Sequence, residues 1–197
     1  MSMFCFQCQE AAMGKGCTIQ GVCGKQPDTA KLQDLLVHTT KSIAFFSRKL
    51  RASGNVSSDV DYYLINSLFT TITNANFDND VIIERIREGL KLRDNLWQIT
   101  NEKGITIEDT FLTYLKATSE LATTDEMIAF AETVGVLRTE NEDIRSLREL
   151  VIYGLKGLTA YAEHAFNLGK QNPEIYSFIE KALVEVDNPA NGADELV

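Results

Sequence analysis

The sequence predicts an all-α protein in which an irregular cysteine-rich loop precedes the helices. Only three prolines occur in 197 residues, so few positions are barred from a helix interior. Apolar residues recur at intervals of three and four, which is the spacing of one helical face. No stretch alternates between apolar and polar residues as a half-buried strand does. We therefore expect helices to dominate the chain after the loop.

The predicted helices fall into two groups. We expect residues 1–27 to form the cysteine-rich loop and residues 28–104 to form a three-helix antiparallel bundle. Residues 105–138 are predicted to be a connector with short helices, and residues 139–197 a second antiparallel three-helix bundle. This second bundle is expected to be truncated, because its third helix only begins near residue 193.

The first bundle has a start signal for each helix. Asp28 is the predicted N-cap of the first helix, Ser58 with Asp61 resembles a capping box before the second, and Asp78 is the predicted N-cap of the third. Gly104 is expected to lie just beyond the end of the third helix. The residues predicted to face the core include Leu32, Leu36, Ile43, Leu64, Ile86 and Trp97.

The connector carries two weaker helix signals. Thr106 with Asp109 indicates a short helix through Leu115, and Thr123 with Glu126 indicates a second one.

The second bundle is predicted to contain the longest helix of the chain. Thr139 and Glu142 would open it, and Asn172 would cap the helix that follows. Gly154 and Gly157 lie inside the long helix, where each costs about 1 kcal/mol relative to alanine, so we expect another helix to approach closely there.

A truncated second bundle would leave an apolar face uncovered. Exposed apolar surface costs about 25 cal/mol per Å² and tends to be buried against another molecule. We therefore expect a homodimer, unless the connector covers the face. The residues of the predicted contact are Leu147, Val151, Leu158, Ile175 and Ile179. Phe178, on the same helix as Ile175 and Ile179, is predicted to face inward.

All four cysteines lie in one short segment with the spacing C-x2-C-x8-C-x5-C, namely Cys5, Cys8, Cys17 and Cys23. Four thiolates meet the ligand demand of an iron–sulfur cluster or of tetrahedral zinc. The unequal halves are less typical of a zinc ribbon, which has two similar C-x2-C knuckles. Disulfides require an oxidising compartment, and the N-terminus lacks the pattern of a signal peptide. The pattern favours iron–sulfur, with zinc and disulfides left open.

The residues around the cysteines also favour a cluster. Glycines surround the last two cysteines and would let backbone amides approach the sulfur atoms. Lys15 and Lys25 add positive potential, and the rings of Phe4 and Phe6 flank the first cysteine, where they could exclude water.

Two blocks of sequence carry a resemblance to a known family. Residues 3–10 read Met-Phe-Cys-Phe-Gln-Cys-Gln-Glu, followed by Gly-Cys-Thr and Gly-Val-Cys-Gly-Lys. Residues 139–165 contain Arg-Glu-Leu-Val-Ile-Tyr-Gly-Leu-Lys-Gly-Leu-Thr-Ala-Tyr-Ala-Glu-His-Ala. The first block resembles the N-terminus of the hybrid-cluster (prismane) proteins, and the second is similar to the long helix of their N-terminal helical domain.

The resemblance implies a ligand set and a role. The spacing resembles the class of the family that binds a [4Fe-4S] cluster, so Cys5, Cys8, Cys17 and Cys23 would be its ligands. The implied role is electron transfer to a catalytic hybrid cluster held by later domains, where hydroxylamine or nitric oxide is reduced. No cysteine follows Cys23, so we expect an inactive fragment whose partners are an electron donor protein and the remaining domains.

Composition excludes other classes of function. A formal charge of −9 argues against nucleic acid binding, which needs clustered Lys and Arg. No apolar run approaches the ~18 residues of a membrane span, and the cytoplasm is the expected location. Asp34 and His38 share a helical face, but one such pair supplies too few metal ligands. The alternative functions are a helical interaction module stapled by zinc, without redox activity, and a small regulator that senses through a labile cluster.

Overall fold

The computed structural model describes residues 2–107, 118 and 121–197. Within this part of the chain the regular elements are helices, and an isolated bridge pair is the only β-type pairing. The all-α class is therefore confirmed. The helix predicted from Thr106 through Leu115 falls largely outside the described residues. The α-helices are α1 (Pro27–Ala52), α2 (Ser58–Thr70), α3 (Asn79–Glu102), α4 (Thr124–Val134), α5 (Glu142–Asn167), α6 (Pro173–Glu185) and α7 (Ala193–Leu196).

Most helix starts follow from local side-chain chemistry. Asp78 accepts hydrogen bonds from the first backbone amides of α3, and Asn172 does the same for α6. Thr123 and Glu126 form the predicted capping box of α4.

Three predicted starts are displaced by one to two residues. Ser57 rather than Ser58 caps α2, and Asn141 rather than Thr139 caps α5, each accepting from the amide three residues on. α1 begins at Pro27 without any side-chain cap. A proline at the first helical position has no unpaired amide hydrogen of its own and a φ already suited to a helix, and Asp28 lies inside the first turn.

Helix α1 packs into two hydrophobic cores along its length. Its N-terminal half contributes Leu32, Leu35 and Leu36 to a core with α3 and α4. Its C-terminal half contributes Ile43, Phe46 and other residues to a larger core with α2, α5 and α6. The helix is therefore the element around which the others are placed.

The two predicted bundles share the larger core and do not form separate units. α2 packs against α5, and Ile179 of α6 is only 1% exposed in the core that includes Leu64 and Phe46. Val151, Leu158 and Ile175 pack against the same core. Four of the five residues predicted to form the dimer contact are thus covered within this chain, and the homodimer stays a prediction.

Charged side chains fix the junction of α1, α2 and α6. The Arg51 guanidinium donates to both carboxylate oxygens of Glu180, at 2.7 and 3.0 Å, and also contacts Asp61. Ser47 donates to Glu180, whose side chain is fully buried. Because a buried carboxylate is stable only when its partners satisfy it, this group specifies how α6 sits on α1.

Several predicted core positions are wrong. Trp97 is 38% exposed and Phe178 is 56% exposed. A Cβ added at Gly154 or Gly157 would meet no atom within 4 Å. These two glycines therefore do not mark a close helix contact. The spacing of apolar residues predicts a core that extends further around α3, α5 and α6 than it does in the structure.

Candidate metal centre

The cysteine-rich loop, residues 2–26, is held together by a short pairing of its own backbone. The Cys5 amide donates to the Cys17 carbonyl at 3.1 Å, and the Cys17 amide donates to the Cys5 carbonyl at 2.8 Å. The amides of Ser2 and Met3 both donate to the Thr18 carbonyl. Two of the four predicted ligands are thus brought side by side although eleven residues separate them in the sequence.

A glycine permits this close pairing. Gly16 has φ of +153°, and a Cβ at this position would lie 2.7 Å from the Phe4 ring. Any side chain there would collide with Phe4, so Gly16 lets that ring pack against the backbone next to Cys17. The Phe4 and Phe6 rings lie 5.3 Å apart between their centroids.

The four cysteines differ in exposure. Cys17 is buried against Met3 and Ala30, Cys5 and Cys8 are partly buried, and Cys23 is exposed. Within the described ranges, no three Cys, His, Asp or Glu side chains are grouped closely enough to hold a metal ion. The structure therefore pairs the backbones of Cys5 and Cys17 and places Cys5 and Cys8 on one cavity, but it does not assemble the four thiols.

That cavity, about 310 Å³ in volume, lies between the loop, α1, α5 and the 3-10 turn Val136–Arg138. Aromatic rings, polar groups and two thiols share its wall. Representative lining residues are Phe4, Cys5, Cys8, Lys25, Gln33 and Tyr153.

Two polar atoms on the cavity wall are buried without a hydrogen-bond partner among the described residues. They are the Gln7 side-chain oxygen and the Tyr153 hydroxyl. Burial raises the pKa of Tyr153, and Cys5 and Cys8 add to the rise. The Thr73 hydroxyl lies outside hydrogen-bond geometry but near enough to offset part of it. Orphaned polar atoms beside two thiols are expected where a further group completes the site, so the residues present fit a thiolate-bound group.

Lys25 supplies positive charge to the same cavity. Its side chain is 2% exposed, and its ammonium donates to the Gln33 side-chain oxygen at 2.6 Å. Burial raises the pKa of the Cys5 thiol, and Lys25 is the strongest opposing influence. A lysine that favours thiolate over thiol suits a cysteine that acts as a metal ligand.

A group of buried charges links α1 and α5 at the inner end of the cavity. Burial raises the pKa of Asp34 to about 7, although Lys156 opposes the rise. Burial lowers the pKa of Lys156 to about 8, although Asp34 and Glu149 oppose the fall. This group could not be predicted from the sequence, because Asp34 and Lys156 lie in different predicted bundles and are brought together only by the core that α1 and α5 share.

His38 lies close to this group, on a pocket that Asp34 and Lys156 also line. Burial lowers the pKa of His38 to about 3, and the charges of Lys41 and Arg138 lower it further. Both cations contact Asp187 and hold the pKa of that carboxyl below its usual range against the effect of burial. That the Asp34–His38 pair supplies too few ligands for a metal ion stays a prediction.

No helix in the described part of the chain combines the length and apolar character that a bilayer span requires.

Comparison with known proteins agrees with the resemblance seen in the two sequence blocks. Proteins named hydroxylamine reductase from Bacteroides fragilis (strain YCH46) and Desulfitobacterium hafniense (strain DSM 10664 / DCB-2) are 49% and 50% identical to this chain, over 200 and 197 residues. One from Thermoanaerobacter pseudethanolicus is 47% identical over 198 residues. Each alignment covers 100% of this chain but only 35 to 36% of the relative.

The family model that matches covers nearly the whole chain. It is described as the Prismane/CO dehydrogenase family and matches residues 3–195. Both blocks that carry the resemblance lie within the match. This chain therefore belongs to the Prismane/CO dehydrogenase family.

Proposed function

We propose that this chain is the electron-transfer part of a hydroxylamine reductase and that its cysteine-rich loop binds a [4Fe-4S] cluster through Cys5, Cys8, Cys17 and Cys23. The observation that carries the proposal is the four-thiol segment with x2, x8, x5 spacing in a chain that matches the family over residues 3–195. Relatives that share about half of its residues carry the name hydroxylamine reductase.

The residues around the loop support this role. A bound cluster supplies a carrier of single electrons. The Cys5–Cys17 backbone pairing sets the spacing of two ligands, and Phe4 and Phe6 shield that side of the site from water. Gln7 and Tyr153 have hydrogen-bonding capacity to spare on the wall next to the thiols.

The reaction of the whole protein belongs to the same proposal. The chain spans about 35% of the length of the relatives it matches. We propose that the whole protein reduces hydroxylamine to ammonia, or reduces nitric oxide, or does both, at a hybrid cluster outside this chain. Its partners would be a redox donor protein and those further domains. Reduced thiols favour the cytoplasm as its location.

The cluster is tested by anaerobic reconstitution. The expected result is a brown protein with about four irons per chain and an electron paramagnetic resonance signal after reduction, because four thiolates can ligate one cubane. A colourless protein that retains one zinc ion would replace the proposal with the zinc-stapled interaction module.

The proposal that this chain transfers electrons while catalysis takes place outside it is tested by assaying hydroxylamine consumption. Four thiolate ligands leave no iron of a cubane open to substrate, so the cluster-loaded chain alone should not exceed free iron–sulfur controls. Turnover above those controls would place the catalytic site within these 197 residues.

A further inference from the structure

Lys25 is a buried cation without a carboxylate partner. Among the residues that the structure describes, no Asp or Glu oxygen lies within 4.0 Å of its ammonium. Its hydrogen-bond partner is the neutral Gln33 side chain, whose own amide donates to the Asn76 carbonyl at 2.8 Å. The Phe77 ring lies 5.8 Å from the ammonium. Burying a charge without a countercharge is costly, so this arrangement indicates that something anionic completes it.

The surrounding groups do not neutralise Lys25. Asp34 is a carboxyl on which the charge of Lys25 acts, but Lys156 acts on it more strongly than Lys25 does. Asp34 has a pKa of about 7, so near neutral pH it carries only part of a negative charge. The other groups on the wall with anionic capacity are the Glu149 carboxyl, whose pKa burial raises, and the pair of thiols at Cys5 and Cys8.

Lys25 also holds the turn that carries the last cysteine. The Lys25 carbonyl accepts a hydrogen bond from the Gly21 amide at 2.8 Å, which closes the turn around Cys23. Its side chain reaches α1 through Gln33, so the charge is fixed relative to both the loop and the helix. Lys15, the other lysine of the cysteine-rich loop, is exposed to solvent.

We propose that Lys25, positioned by Gln33, is the countercharge of the cluster-bearing loop and raises the reduction potential of the cluster, whereas Lys15 does not. This inference rests on the proposed function. When one electron enters, the negative charge of the site increases by one unit and no proton needs to move. A fixed positive charge in a buried site stabilises that reduced form, while an exposed charge is screened by water and salt.

The test compares Lys25→Met, Lys25→Arg and Lys15→Met with the unaltered chain. Each is reconstituted anaerobically and titrated with dithionite in the presence of dye mediators, with the resonance signal of the reduced cluster as readout. Lys25→Met should lower the reduction potential of the cluster by about 59 mV, which for a one-electron couple is an affinity for the electron about tenfold weaker. Lys25→Arg retains the charge and should stay near the unaltered value, as should Lys15→Met.

A second readout separates an electrostatic role from a structural one. Thermal unfolding of the metal-free chain should be unchanged or higher in Lys25→Met, because an apolar isostere removes the cost of a buried charge. The inference is overturned if Lys25→Met keeps the potential of the unaltered chain, if Lys15→Met shifts it equally, or if Lys25→Met lowers the metal-free midpoint as well. If the unaltered chain itself takes up no iron, the proposed function fails, which is a distinguishable result.

Discussion

The cysteine-rich loop and the helical body are stabilised in different ways. In the body, α1 lies between two hydrophobic cores, and side-chain caps or a proline begin α2 to α6. In the loop, the pairing of Cys5 with Cys17 and a small apolar contact with Ala30 hold residues that have no regular structure beyond one 3-10 turn. The body can therefore fold on its own contacts, whereas the final geometry of the four thiols depends on what they bind.

The largest expected difference between the two regions comes from removing a ligand. Cys17→Ser should lower iron retention after reconstitution at least about tenfold, because a serine hydroxyl is a poor substitute for a thiolate on iron. The helical signal in circular dichroism should stay the same, since Cys17 belongs to a small apolar cluster that is separate from the two cores of the helical body. Lys15→Ala is the matched control and should keep its iron. Equal iron loss in both variants would contradict the ligand assignment.

A substitution in the buried charged group should destabilise the helical body and leave the cysteine-rich loop unaffected. Glu180→Ala should lower the free energy of unfolding by about 3 kcal/mol, because it leaves Arg51 with an incomplete set of partners in a buried site. Urea denaturation of the metal-free chain measures this. Glu132→Ala removes a carboxylate whose side chain is 62% exposed and should leave the midpoint unchanged. Similar midpoints for both variants would show that the buried group does not hold α6 on α1.

A fall in pH should destabilise the helical body through the buried side chain of His38. Its pKa is about 3 in the folded chain, below the ordinary value of 6.5, so below pH 6.5 the unfolded chain binds a proton that the folded chain does not. The free energy of unfolding should therefore fall as pH drops from about 6.5 towards 3, by up to roughly 3 kcal/mol at pH 4.

Replacing each histidine in turn isolates that contribution. His38→Gln should flatten the fall between pH 6.5 and 4, as measured by urea denaturation at several pH values. His164→Gln, at the only other histidine and an exposed position, should leave the slope as it was. A slope unaltered by His38→Gln would assign the acid sensitivity to the carboxyl groups.

The smallest expected effect is a gain in stability of the body. Gly157→Ala should raise the free energy of unfolding by about 0.5–1 kcal/mol, because the added Cβ meets open space and alanine is the better helix former. Gly16→Ala is the contrasting change in the loop, since its Cβ would strike Phe4. It should reduce iron uptake without a comparable loss of helix. If Gly157→Ala instead lowers the free energy of unfolding, that result would support the close helix contact predicted from the sequence.

The parts predictable from the sequence are those set by local chemistry. Asp78, Thr123 with Glu126, and Asn172 mark helix starts because a cap acts within three residues of its own position. Helix packing was less predictable. Periodicity shows that α5 and α6 have an apolar face but not that α1 and α2 cover it. It therefore predicts a dimer contact at Ile179, whereas the structure buries this residue in the larger core.

At the candidate metal centre, too, only the features set by local sequence could be predicted. The four cysteines follow from their spacing, and the glycines around them from the need for tight turns. The buried state of Lys25, the orphaned Tyr153 hydroxyl and the Asp34–Lys156 pair arise only when α1 and α5 meet the loop. Long-range packing places these groups, and no spacing in the sequence records it.

The central claim is that the loop takes up a four-iron cluster on a body that is already folded. The most direct measurement is to determine iron, acid-labile sulfide and far-ultraviolet circular dichroism on one sample before and after anaerobic reconstitution. We expect about four irons and four sulfides per chain with the helical signal unchanged. A single bound zinc, or helices that form only when metal is added, would contradict this account.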